Sequence, residues 1–272
     1  MLDESSIPAG ALLLDALESG ELRVARRTDS GDWVVNPAVK QAILEIFRTS
    51  EVVAAGNELS RESYHAIDVQ GPPFRDKDLL RVRRFTKRDD VRLVPGGSAV
   101  RRGAYLGPGV VCMPPMYVNV GAWVGPGCMI DSHALVGSCA QLGAGVHLSA
   151  AAQIGGVLEP PGARPVIVEE GAFIGGNSGL YEGVLVRAGA VIAAGVVLTA
   201  TTRVFDLVHE RELCGTRERP LEIPAGAVVV PGSRPARGAW AEARGLAASC
   251  ALIPKYRDER TAAATALEEA LR

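Results

Sequence analysis

The side chains able to do chemistry gather in a stretch dominated by small and branched residues. Asp131, in Met129-Ile130-Asp131-Ser132-His133, occupies a place where neighbouring segments carry glycine. A carboxylate there can cap the backbone amides of a turn, or it can orient a nucleophile and accept its proton. Glu182 is a second carboxylate, two residues after the aliphatic Leu180. Gly175, Gly176, Ser178 and Gly179 crowd together just before it, and glycines bare the backbone to a closely approaching ligand. Arg92 carries a planar fork suited to clamping a carboxylate, although position alone marks it as a surface residue. Metal chemistry is disfavoured. Of the four histidines only His133 and His147 fall in this stretch, and the five cysteines form no CxxC pair. Cys139 reads as a small packed hydrophobe rather than a nucleophile.

These residues must be positioned by a repeat. Val100, Leu106, Cys112, Val118, Val124, Ile130, Val136, Leu142, Leu148 and Ile154 recur every six residues. Val168, Ile174, Leu180, Val186, Ile192, Leu198 and Val204 resume the period after a break. A strict hexad predicts a left-handed parallel β-helix, with three repeats per triangular coil and the large aliphatic pointing inward. Glycine follows many of the aliphatics, as at Gly107, Gly125, Gly137, Gly143, Gly155 and Gly175, where it is expected to supply positive φ at the turns. A sandwich would alternate with period two instead. Between Ile154 and Val168 the count exceeds two repeats, and Pro160-Pro161-Gly162 marks a loop thrown out of the solenoid.

The flanks differ in texture. Leu12 to Leu17 predicts a helix ended by Gly20, followed by a hairpin-like piece turning at Ser30-Gly31. Asn36-Pro37 can cap and start a second helix with Val39, Ala42, Ile43, Ile46 and Phe47 on one face. The charged run from Arg75 to Asp90 reads as a solvated linker or helix face, with a positive patch that receives an anionic ligand as the minority reading. Ile223 and Val229 suggest a last coil, Ala248–Ile253 a strand, and the alanine-rich end a helix that caps the solenoid. The expected fold is mainly β: an α-rich N-terminal domain (1–92), the β-helix (93–232) and a strand-and-helix cap (233–272).

Net charge is −2, which points away from nucleic acid. No run is long and apolar enough for a membrane span and no leader is evident, so a cytoplasmic protein is expected.

"VGSCAQLG", "VHLS" and "IGGVLEP", set in the longer "VRLVPGGSAVRRGAY" to "IGGVLEP" stretch, resemble the tetrahydrodipicolinate N-succinyltransferase family. The likeness reaches upstream through "LESGELRVARRTDSGDWVVNPAVKQAILEIFR" and downstream to "TRVFD" and "IPAGAVVVPGS". It implies transfer of succinyl from succinyl-CoA to tetrahydrodipicolinate, with water, in lysine and diaminopimelate biosynthesis. No tightly bound cofactor or metal is implied, and a homotrimer with sites between solenoids is. By the same resemblance Arg92 holds a substrate carboxylate, Asp131 lies at the amine, and Gly175 and Ser178 contact the CoA donor. The sequence departs from the family's pattern at His133, where many members carry Trp, and at Gly179, where many carry Glu. Glu182 is then the best second carboxylate. An acetyl-CoA-dependent enzyme and a non-catalytic solenoid are the competing expectations.

Overall fold

A computed structural model describes residues 7–54 and 75–257. Each hexad becomes a two-residue strand and a four-residue corner, and every third strand pairs in parallel. The first face begins at Arg92–Leu93 and climbs through Val111–Cys112, Met129–Ile130, His147–Leu148, Phe173–Ile174 and Val191–Ile192. The second climbs from Ala99–Val100 to Val197–Leu198. The third climbs from Tyr105–Leu106 to Glu222–Ile223. From Val100 upward, the inward residue of every rung is at most 4% exposed. Fully burying one such aliphatic contributes about 1.5–3 kcal/mol, so the stacked column rather than any two-residue strand holds the fold.

The corner glycines serve two purposes, and the expected one falls elsewhere. Those directly after the aliphatic are absent from the left-handed region. They are glycine because the next coil is close: a Cβ on Gly125 would sit 2.6 Å from the Gly143 carbonyl carbon and 2.7 Å from the Ala144 amide nitrogen. Positive φ occurs two residues later, as at Gly127 (φ 67°), which has open space where a Cβ would go.

Two further expectations change. Val204 is buried but is no rung of the prism. The chain leaves the solenoid there as a strand, Val204–Asp206, paired with Arg211–Leu213, and Glu222–Ile223 takes the vacant third-face position. The charged run is no helix face: after the strand Arg75–Lys77 it runs largely irregular to Asp90, with Lys87 and Arg88 exposed. Strand β3 (Val52–Ala54) pairs with β4 (Arg75–Lys77), and its charges are spent on the first coil, where Arg101 meets Asp76 at 2.6 Å. Arg83 meets Asp89 at 3.0 Å and donates to the Ala104 carbonyl at 2.7 Å.

The N-terminal part folds as its periodicity predicts. Helix α1 spans Gly10–Glu18, strands β1 (Ala25–Arg27) and β2 (Trp33–Val35) form the hairpin, and α2 spans Pro37–Thr49. Asn36 caps α2 by accepting from the Val39 amide. The buried faces of both helices close over Val120 and Cys139, at the corner between the second and third faces. Lys40, fully buried, donates to the carbonyls of Pro160 (3.2 Å) and Ala163 (2.9 Å) and so ties the extruded loop to α2. On the third face Arg23 lies over both Trp33 and Trp123, while Tyr105 stacks on Trp123. Burial, then repulsion from Arg26, pushes the Arg23 guanidinium down to about 10.

At the top, the strand Ala227–Pro235 starts as a rung and runs out into a hairpin with Ala247–Tyr256, across the short helix α3 (Ala239–Glu242). The expected terminal helix lies outside the described residues. Among the described residues no helix is long and apolar enough to cross a membrane.

The two glycine classes respond differently to a methyl group. Gly127→Ala costs about 1–2 kcal/mol for a left-handed side chain. Gly125→Ala costs more, because backbone must move in two coils. Urea midpoints of the two variants check the order, which reverses if positive φ is the governing constraint at Gly125.

Candidate active site

Asp131 opens the corner between the first and second faces. Its amide donates to the Leu148 carbonyl at 2.9 Å in the next coil, which fixes its backbone. Its Oδ1 accepts the Ser132 amide at 2.8 Å. Oδ2 has no partner among the described residues, and the side chain is half-buried. Turn capping, one of the alternatives in the sequence, thus occupies one oxygen of the carboxylate and leaves the other unpartnered among the described residues. His133, two residues on, is exposed and held at φ 63°.

Coil stacking sets what lies beside Asp131. Ser149 and Gly175 occupy the same corner position one and two rungs higher, at about 4.8 Å per rung. Arg92 is the outward residue of the first face two rungs below, in register with Val111 and Met129. Its side chain is exposed, makes no ion pair among the described residues, and lines a cavity of about 310 Å³ with Lys87 and Val111. Above it the partly exposed side chains of Val111, Met129, His147 and Phe173 form an apolar stripe, His147 meeting Phe173 edge-on at 5.0 Å. Arg92, Asp131 and Gly175 thus fall along one side of the prism.

The other expected residues separate from this line. Glu182 lies at the corner between the second and third faces, where its Oε2 accepts the Ala200 amide at 3.2 Å. One chain does not bring the two carboxylates together. Ser178 is 1% exposed and its hydroxyl donates to the Ala193 carbonyl at 2.8 Å, so its side chain is core rather than donor contact. Gly175 is also buried, and a Cβ there would meet the Ala194 amide nitrogen at 2.5 Å. The surface backbone of that turn belongs to Gly176, which is partly exposed.

Sequence reasoning overlooked Tyr181. Its ring lies over two glycines: a Cβ on Gly155 would come within 2.6 Å of it and one on Gly179 within 2.4 Å. The glycine pair was the available signal, but glycine in a repeat looks like turn chemistry.

Among the described residues no group of three or more His, Cys, Asp or Glu could hold a metal. Cys139 is fully buried, and that burial pushes its thiol up to about 12 despite the opposing charge of Lys40. It stays a neutral thiol through the physiological range and is no nucleophile.

A three-sided solenoid of hexads with a half-free corner carboxylate beside an open apolar stripe defines the hexapeptide-repeat acyltransferase class. Residues 165–200 match the family described as hexapeptide repeat of succinyl-transferase. Residues 10–49 match the N-terminal family of tetrahydrodipicolinate N-succinyltransferase. The 2,3,4,5-tetrahydropyridine-2,6-dicarboxylate N-succinyltransferase of Wolbachia pipientis wMel is 42% identical over 260 residues, covering 96% of this chain and 87% of that protein. The enzyme of the same description from Paramagnetospirillum magneticum is 42% identical over 259 residues, covering 95% and 87%. That from Rhodopseudomonas palustris strain TIE-1 is 44% identical over 260 residues, again covering 95% and 87%. The chain belongs to the tetrahydrodipicolinate N-succinyltransferase family.

Thiol accessibility separates the two cysteine environments. Iodoacetamide at pH 8 is expected to label the exposed Cys214 and leave Cys139 unmodified until the protein unfolds. Peptide mapping reads both; rapid native labelling of Cys139 would place it in an open site.

Proposed function

We infer that the chain catalyses succinyl transfer from succinyl-CoA to tetrahydrodipicolinate, with water, giving N-succinyl-2-amino-6-oxopimelate and CoA. The reaction belongs to lysine and diaminopimelate biosynthesis. Support comes from the shared description of the relatives, which names this acyl group and this acceptor. Neither the acetyl-donor nor the non-catalytic expectation has such support. In this reading residues 1–92 form the substrate-side domain, 93–232 the acyltransferase solenoid and 233–272 the cap.

The observation that carries the site is the divided carboxylate of Asp131, one oxygen pinned by the Ser132 amide and the other unpartnered among the described residues. The ring-opened substrate presents an amine that must lose a proton to attack a thioester. Asp131 orients that nitrogen and accepts the proton as the N–C bond forms. The C–S bond then breaks, and the proton passes to the departing CoA thiolate. Arg92 holds a substrate carboxylate through its fork. Backbone at the Gly176 turn is the place where the donor lies against the wall. Holding two reactants side by side supplies much of the acceleration, and no covalent acyl-enzyme is needed.

A homotrimer fits this arrangement. The N-terminal part covers the third face, whereas the first and second faces keep partly exposed apolar side chains, among them Met129, Phe173 and Leu135. A neighbouring prism against that side would shield the thioester from water. A cytoplasmic location suits the proposed small-molecule substrates.

Following thiol release with both substrates tests the reading. Asp131→Asn and Asp131→Ala are each expected to lower kcat by about 10²–10⁴-fold with unchanged circular dichroism. Near-normal turnover in both variants removes Asp131 from the mechanism.

A further inference from the structure

The acceptor named for the relatives bears two carboxylates, and in the function proposed above Arg92 accounts for one of them. We infer that Lys87 binds the second, so that Lys87 and Arg92 together select a dicarboxylate; this rests on the function proposed above.

Charge pairing in the basic segment leads to this assignment. Several cations in and next to it have protein partners. Arg83 is bound to Asp89 and Ala104, Arg101 to Asp76, Arg102 to Glu18, and the Lys77 ammonium to the Ser50 carbonyl. Lys87 and Arg92 have none among the described residues, and both line the same cavity of about 310 Å³ at the foot of the first face. That space suits one end of a small dicarboxylate.

Lys87 is also held in place, as a linker lysine would not be. It sits inside a turn closed by Asp89, which accepts the Thr86 amide at 2.6 Å and the Thr86 hydroxyl at 2.8 Å. Arg83 braces the same carboxylate. Burial opposes ionisation of Asp89, but these hydrogen bonds and the Arg83 charge outweigh it and hold the carboxyl below its ordinary value. The turn therefore stays intact at neutral pH. On its far side the Asp90 carbonyl accepts the Gly109 amide at 2.8 Å, joining the turn to the second rung of the solenoid. Asp90 lines the cavity too. Two cations lining one cavity complement a ligand that bears two carboxylates.

Steady-state kinetics of the full chain test the assignment, with Lys87→Gln, Lys87→Arg and, as control, Arg88→Gln, which lies outside the cavity lining. Lys87→Gln is expected to raise KM for tetrahydrodipicolinate by about tenfold or more. KM for succinyl-CoA and kcat should stay within about twofold of the parent, Lys87→Arg should recover most of the loss, and Arg88→Gln should behave as the parent. Calorimetry adds a readout that needs no turnover. The parent should bind pyridine-2,6-dicarboxylate more tightly than pyridine-2-carboxylate, and Lys87→Gln should lose that preference. An unchanged KM and an unchanged preference overturn the inference, as does equal weakening of both ligands. A parent protein without acyltransfer activity would instead sink the proposed function, and the calorimetric comparison would still decide Lys87.

Discussion

Everything at the site depends on the vertical stacking of one inward side chain per rung. Val118 over Val100, Ile130 over Cys112 and Leu142 over Val124 fix the coils at one strand spacing, because each inner residue is closed on by the rungs above and below. Once that spacing is set, corner residues fall into columns. Arg92 and Asp131 are far apart in sequence, yet they stand two rungs apart on one side of the prism. Register, rather than a loop, fixes how Arg92 and Asp131 stand to one another.

The corner also limits what can be placed there. Most first-corner positions are constrained by the coil overhead, as the 2.5–2.7 Å approaches to Gly125 and Gly175 show. Asp131 occupies such a position with one oxygen on the adjacent amide, so its orientation is settled before any ligand arrives. Glu182 obeys the same local rule at another corner, where the Ala200 amide of the next coil takes its carboxylate. What distinguishes the two is the company each column keeps: Arg92 and an apolar stripe beside Asp131, and the packed N-terminal side beyond Glu182.

The inner columns, the Asn36 cap and the hairpin between β1 and β2 were legible in the sequence, because each follows from residues within one hexad or one turn. Other features failed for a physical reason. The glycines after each aliphatic were assigned to backbone freedom, when the cause is an atom eighteen or more residues away, such as the Gly143 carbonyl above Gly125. Nothing local says that the Ser178 hydroxyl finds the Ala193 carbonyl. Val204 kept the hexad phase while the chain was already leaving the prism. In the charged run, Asp76 gains its partner Arg101 only when the first coil closes, whereas the Arg83–Asp89 pair forms within the run itself. Periodicity encodes neighbours along the chain, and side-chain roles are decided by neighbours across it.

How the N-terminal part is fixed to the solenoid bears on the open side. Glu169 is 1% exposed and receives Trp33 at 2.9 Å, Arg187 at 3.1 Å and the Ala188 amide at 3.0 Å, with Arg27 at 3.6 Å. A buried carboxylate adds little net stability relative to an apolar replacement, but removing one partner leaves an uncompensated charge. Such a group tolerates one docking position and penalises others. Trp33 comes from β2, Arg27 from β1 and Arg187 from the solenoid, so the hairpin is held to the third face in a single register. With that face occupied, the first and second faces stay open in the single chain, and the corner between them carries Asp131. Which corner stays open thus follows from which face the N-terminal part covers, and that is set by a polar contact rather than by the repeat.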